Sequence, residues 1–172
     1  MLLLVVIVIL VFINVIAEQN SNDAKKVSSS EVTIKPYHIG DFARAGDIKW
    51  RIEKEPQMMK EMYGDYDSKK ANGTYVLIEI TGELTGQGSA IVSTSEFHLL
   101  DDEDIRYETT NNGEAGLKDL DRKSLSREQL NPNVPITGWI VFDIPEDAAG
   151  LKLVVGDLLP DSDQTALIDL GI

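Results

Sequence analysis

Residues 130–145 read Leu130-Asn-Pro-Asn-Val-Pro-Ile-Thr-Gly-Trp-Ile-Val-Phe-Asp-Ile-Pro145. Asn131-Pro132-Asn133 has the composition of a β-turn, in which proline presets φ and asparagine accepts positive φ at the next position. From Ile136 onward, β-branched and aromatic side chains dominate. Pro145 ends the run because it cannot donate to a strand ladder. A polar turn feeding one strongly apolar strand is a mark of an all-β domain.

The same grammar extends outward. Asp47–Glu53 alternates Ile48, Trp50 and Ile52 with Lys49, Arg51 and Glu53, which is the period-two signature of a half-buried strand. Thr74–Thr81 places Val76, Ile78 and Ile80 on one face and Leu77 on the other. Ile91–Leu100 carries Val92, Phe97 and Leu99, and Ile105–Glu108 can return as its hairpin partner across Asp101–Asp104. Val32 with Ile34, Leu151–Val155 and Thr165–Leu170 add further strands. Short strands separated by turn signals, with almost no helical periodicity, predict an antiparallel β-sandwich of about seven to nine strands. Its core is predicted to hold Trp50, Ile52, Val76, Ile78, Ile80, Phe97, Leu99, either Trp139 or Phe142, Leu153 and Ile168. Lys54–Gly73 reads as a long polar insertion. Asn111–Asn131 reads as a polar segment with a helical turn near Ser126–Leu130, capped by Ser126 and Gln129.

The amino terminus differs from the rest. Leu2–Ala17 is apolar apart from Asn14. As a helix it would span about 24 Å, just short of a hydrocarbon core of about 30 Å. Val15-Ile16-Ala17 before Glu18 has the small-residue character of a signal-peptide cleavage site, while the missing basic leader also fits an uncleaved anchor. Residues 1–17 are therefore read as an N-terminal hydrophobic helix, either signal peptide or membrane anchor. Residues 18–30 are read as a flexible linker and 31–172 as the folded domain. The expected location is extracytoplasmic, with the membrane itself a partner if the segment is retained.

The chain of 172 residues has no cysteine, which excludes disulfides and thiolate metal sites. Its formal net charge of -13, from 29 acidic against 16 basic residues, argues against a nucleic-acid partner, which needs a basic surface. Solubility through self-repulsion is the simplest account of that charge.

The run LNPNVPITGWIVFDIP, the upstream NGTYVLIEI, the FHLLDDEDIRY hairpin and the terminal LKLVVGD and ALIDLG together resemble the telokin-like family of secreted domains. The resemblance covers roughly residues 33–171 and implies an immunoglobulin-like β-sandwich. It also implies an exported bacterial or archaeal protein, and it brings no catalytic residue with it. Asn133 stands where that family commonly has glycine after Asn-Pro, and the acidic hairpin tip lacks the glycine often found there.

Few residues suggest chemistry. His38 and His98 are the only histidines, and no Gly-x-Ser-x-Gly elbow accompanies them. Gly82, Gly86 and Gly88 lack dinucleotide or P-loop spacing and suit a hairpin loop. Asp101, Asp102 and Asp104, within Asp101-Asp102-Glu103-Asp104, are candidate Ca²⁺ ligands, since that ion takes roughly six to eight hard oxygens. Side chains alternate along an extended backbone, however, so only half can reach one ion, and a solvated turn is the simpler reading. Asp65 and Asp67 form a weaker acidic loop. If Glu55–Met62 is a helical turn, Met58 and Met62 share a face and with Met59 could hold Cu(I); packing is the plainer use of methionine. Asn72-Gly73-Thr74 matches a glycosylation acceptor, and Asn-Gly also reads as a hairpin turn. The expectation is a non-enzymatic module without cofactor that binds a protein or envelope partner, with metal binding as the competing class.

Overall fold

The alternation in β3 (Ile48–Ile52) places Ile48, Trp50 and Ile52 in the core and leaves Lys49 and Arg51 half-buried. β3 pairs antiparallel with β5 (Ser68–Leu84), and Trp50 lies directly opposite Gly82. A Cβ at position 82 would come within 2.4 Å of the indole, so glycine is what lets the ring lie across its neighbour strand. The buried indole N–H donates to the Gly156 carbonyl at 3.0 Å, and the ring meets Phe97 edge-on with centroids 5.0 Å apart. Trp50 thus fastens its own sheet to the opposite one.

The computed structural model describes residues 35–63, 68–159 and 162–172. One sheet has the order β10 (Ile136–Ile144), β5, β3, β2 (Ala43–Ala45), with β4 (Gln57–Tyr63) also paired to β5. The facing sheet has the order β1 (Tyr37–His38), β12 (Thr165–Asp169), β11 (Lys152–Gly156), β7 (Phe97–Leu100), β8 (Arg106–Glu108). A small ladder joins β6 (Ala90–Ile91) to β9 (Gln129–Leu130). The expected all-β sandwich is observed, with twelve strands among the described residues instead of about seven to nine, the surplus being short strands such as β1, β6 and β9. Strand pairing is antiparallel except between β1 and β12, which run parallel.

Between the sheets lie Trp50, Ile52, Val76, Ile78, Ile80, Phe97, Leu99, Leu153 and Ile168, as the alternation predicts. The choice left open in β10 resolves to Phe142, with Ile140 and Ile144 beside it. Trp139 points the other way, where a second cluster of Met62, Tyr75, Leu77, Leu117 and Val141 forms. That cluster is roofed by helix α1 (Asn111–Gly116) and the 3-10 turn Leu117–Leu120. Trp139 packs at its edge under the Arg122 guanidinium, 4.1 Å from the ring centroid. β10 is therefore apolar on both faces because both faces are covered.

Within the expected insertion 54–73, β4 pairs with the start of β5 as an arm. Four local expectations are corrected. Glu55–Met62 is not helical, since β4 occupies it; Met62 is buried, Met59 packs beside it and Met58 is exposed, so the three thioethers do not converge. Asn72-Gly73 is not a hairpin turn but lies inside β5, where the register jumps between Met59↔Tyr75 and Glu61↔Lys70. The Asp143 carboxylate holds this irregularity by accepting from the Asn72 and Gly73 amides at 2.9 and 3.0 Å and from Asn72 Nδ2 at 2.8 Å. Ser126–Leu130 is not a capped helical turn, because the helix lies at Asn111–Gly116 and Gln129–Leu130 belongs to β9. Ile91–Leu100 is broken by a 3-10 turn at Thr94–Glu96.

The apolar segment 1–17, the linker 18–30, the strand at Val32 and Ile34, and Asp65 with Asp67 lie outside the described residues. Among the described residues no helix is long and apolar enough to cross a membrane.

Candidate binding groove

Residues 123–125 run along the open edge of β10, with Trp139 N–H donating to the Lys123 carbonyl at 2.9 Å and Leu125 N–H to the Trp139 carbonyl at 3.0 Å. Gly138 permits this approach, since a Cβ there would lie 2.8 Å from Leu125 Cα. The chain then turns over Ser126 and Arg127, closed by Glu128 N–H to the Leu125 carbonyl at 3.3 Å. Arg127 holds φ at 64°, the left-handed conformation that glycine or asparagine adopts most readily in such turns. Reciprocal bonds between Val92 and residues 127–128, at 2.8 and 2.9 Å, fasten this turn to the segment after β6.

The turn, the 91–94 segment and α1 enclose an open groove of about 690 Å³, within the general range for ligand sites. Its walls carry Ser93, Thr94, Asn111, Glu114, Ser124, Ser126 and Arg127, with Ile91 and Ala115 as apolar patches. Ser124 Oγ donates to Glu114 Oε1 at 2.6 Å and accepts from the Ser126 amide at 3.0 Å. One bond network therefore sets both the carboxylate and the turn. Arg127 is exposed, and its guanidinium has no hydrogen-bond or ion-pair partner among the described residues. The other four arginines have partners: Arg44 bonds Thr85, Arg51 bonds Gly40 and Glu53, Arg106 bonds Glu108, and Arg122 bonds Gln57.

The acidic hairpin forms between β7 and β8 as expected, but its carboxylates are put to different use. Asp101 is buried; its Oδ1 accepts from the Glu103 and Ile105 amides at 3.0 and 2.8 Å, and its Oδ2 from the Tyr107 hydroxyl at 2.7 Å. The Tyr107 bond leads in holding the Asp101 carboxyl below its usual range, and the amides add to it while burial opposes. The same bond raises the Tyr107 phenol to about 12, with burial and the Asp101 charge contributing. Asp102 and Asp104 are exposed. Asp104 takes φ of 60° and supplies the left-handed residue where glycine was missing; Asn133 does the same in its turn with φ of 58°. The structure does not gather Asp101, Asp102 and Asp104 around a common point, and no group of three acidic or histidine side chains among the described residues could hold a metal ion.

Neither histidine lines the groove. Burial pushes His98 below the ordinary imidazole value, nearby Arg106 acts in the same direction, and Glu108 opposes. A second, acidic hollow is lined by Asp47, Asp157 and Asp163. Its buried Asp157 is already bonded to the Leu159 amide and the Ser162 hydroxyl at 3.2 and 2.8 Å.

The family profile described as Domain of unknown function (DUF4352) matches residues 37–164. The chain belongs to the DUF4352 family. No curated protein matches it. Among solved structures, this DUF4352 domain is similar to the yjhA protein of Bacillus subtilis, with 21% identity and a TM-score of 0.57 over 77% of this chain and 98% of that one. It is similar to the secreted protein MPT63 of Mycobacterium tuberculosis, with 14% identity and a TM-score of 0.51 over 78% and 98% of the two chains. It is also similar to ycdA of Bacillus subtilis, a candidate lipoprotein, with 18% identity, a TM-score of 0.51 and 77% of this chain covered. The match spans 39% of the ycdA chain. At these identities the likeness establishes the sandwich fold.

The groove residues of the DUF4352 domain were not singled out from sequence. They come from three segments that only the packing of α1 and residues 123–125 on β10 brings together. The one local signal is Ser-Arg at 126–127 between Leu125 and Glu128, a turn without glycine.

Proposed function

We propose that this chain is an exported, non-catalytic binding domain that takes its ligand in the groove between the 91–94 segment, α1 and the Ser126–Arg127 turn. The observation that carries this reading is Arg127. It holds a backbone conformation that costs an ordinary residue about 1–2 kcal/mol, and its guanidinium has no partner among the described residues. Stability gives no reason for arginine there, whereas a ligand does. The apolar 2–17 segment and the resemblance to telokin-like secreted domains support export. The description of one structural relative as secreted agrees with it.

Two measurements test the reading. Fractionation of the tagged full chain is expected to place it in the membrane or exterior; a soluble cytoplasmic pool would sink the export claim. A photo-crosslinking residue at Thr94, inside the groove, is expected to capture envelope material, and one at exposed Glu53 is not. Filling the groove with Ala115→Trp should abolish the Thr94 adduct. Equal adducts at both positions, or an adduct indifferent to Ala115→Trp, would remove the groove from consideration.

A further inference from the structure

We infer that the ligand of this groove is a short zwitterionic peptide, its carboxylate held by Arg127 and its ammonium by Glu114. The inference rests on the binding-domain reading and adds the chemistry of the ligand. A guanidinium and a carboxylate line the same groove and do not bond each other. Arg127 has its whole donor fork available, and a planar fork matches a carboxylate through two parallel bonds. Glu114 has one oxygen engaged by Ser124 and presents the other as an acceptor.

Charge decides between a zwitterion and a simple anion. The chain carries a formal net charge of -13, so a free phosphate approaches against the field of the whole molecule. Glu114 then repels it within the groove itself. A ligand bearing both charges meets no net repulsion and satisfies both walls. The remaining lining fits a peptide between those ends: Ser93, Thr94, Ser126 and Asn111 supply donors and acceptors for backbone amides, and Ile91, 67% exposed, offers an apolar ledge for a side chain. No aromatic ring among the described residues lines the groove for a sugar face to stack on.

Calorimetric titration of the full chain tests the assignment, with tri-alanine bearing free ends as the probe. Its C-terminal amide, its N-acetyl form and inorganic phosphate serve as comparisons. Tri-alanine is expected to bind, and amidation should weaken it tenfold or more, the loss expected when a charged hydrogen bond is removed. Arg127→Gln should produce the same loss with tri-alanine and no further loss with the amide, while Arg127→Lys recovers part of it. Glu114→Gln should weaken the free-ended peptide and leave the acetylated one unchanged. Equal binding of amide and acid, phosphate binding as tight as tri-alanine, or indifference to Arg127→Gln would each overturn the assignment. Absence of tri-alanine binding would overturn it as well. If the Thr94 adduct still depends on Ala115, only the ligand class falls; if the adduct ignores Ala115→Trp, the groove falls with it.

Discussion

Tyr107 donates its hydroxyl to the buried Asp101 carboxylate at 2.7 Å, and that bond makes the acidic hairpin tip a clasp that holds β7 to β8. Its energetics depend on pH in two directions. The Tyr107 phenol is raised from 10.0 to about 12, so its contribution is complete below about pH 10 and is lost as pH rises through about 12. The Asp101 carboxyl is lowered from 3.8, so its contribution is present above that value and is lost as pH falls through the lower folded value. Melting curves for wild type and Tyr107→Phe should therefore differ at neutral pH and converge as pH rises from about 10 to about 12. A constant difference across that window would show that the clasp does not titrate.

Calcium should do little at this tip. Asp101 already accepts three bonds, and Asp102 and Asp104 are solvated. Melting temperatures in chelator and in Ca²⁺, at matched ionic strength, are expected to coincide. A rise specific to Ca²⁺, lost in the Asp102→Asn, Asp104→Asn double variant, would establish the tip as a metal site.

The two tryptophans should respond unequally. Trp50 is fully buried, bonds Gly156 and spans both sheets, so Trp50→Ala is expected to cost about 3–5 kcal/mol. Trp139 is partly buried at the edge of the second cluster under Arg122, and Trp139→Ala is expected to cost about 1–3 kcal/mol. Gly82→Ala should itself destabilise by about 1–3 kcal/mol by driving a methyl into the indole. Denaturant unfolding that ranks Trp139 above Trp50 would contradict this assignment of the β10 faces.

Arg127 offers a separation of stability from binding. Arg127→Gly relieves the left-handed backbone and loses no intramolecular partner, so a gain of about 0.5–1 kcal/mol is expected after the added freedom of the unfolded chain is counted. The same variant should bind groove ligands more weakly. Stability unchanged or lowered would mean that the turn draws on the arginine in some other way.

The fold was legible where one face of a strand is covered and the other is wet, as with Ile48, Trp50 and Ile52 against Lys49 and Arg51. It was ambiguous where both faces are covered. Trp139 and Phe142 are equally apolar neighbours in β10, and only the position of α1 separates their clusters. The arm misled for a different reason. The spacing of Met58 and Met62 suits one face of a helical turn, but the irregularity at Lys60 shifts the phase of β4, so that Met59 joins Met62 in the second cluster and Met58 is exposed. The positive φ at Asn133 was readable from its turn chemistry, whereas Arg127 conceals the same conformation behind a residue type that rarely adopts it.

The second cluster makes the sheet of β5 and β10 the middle of a three-layer stack around residues 74–78, all of them buried. At the far end of the arm, β4 from Glu61 to Tyr63 and β5 from Ser68 to Lys70 form a two-stranded ladder with Met62 in the second cluster, whereas Tyr75–Leu77 is paired on both sides, by β4 and by β10. Amide protons at 76–78 should therefore exchange only when the whole domain unfolds, while those of the arm tip exchange through local opening. On that expectation the molecule carries two grades of permanence within a single strand, with β5 holding at its centre while its start opens together with the end of the arm.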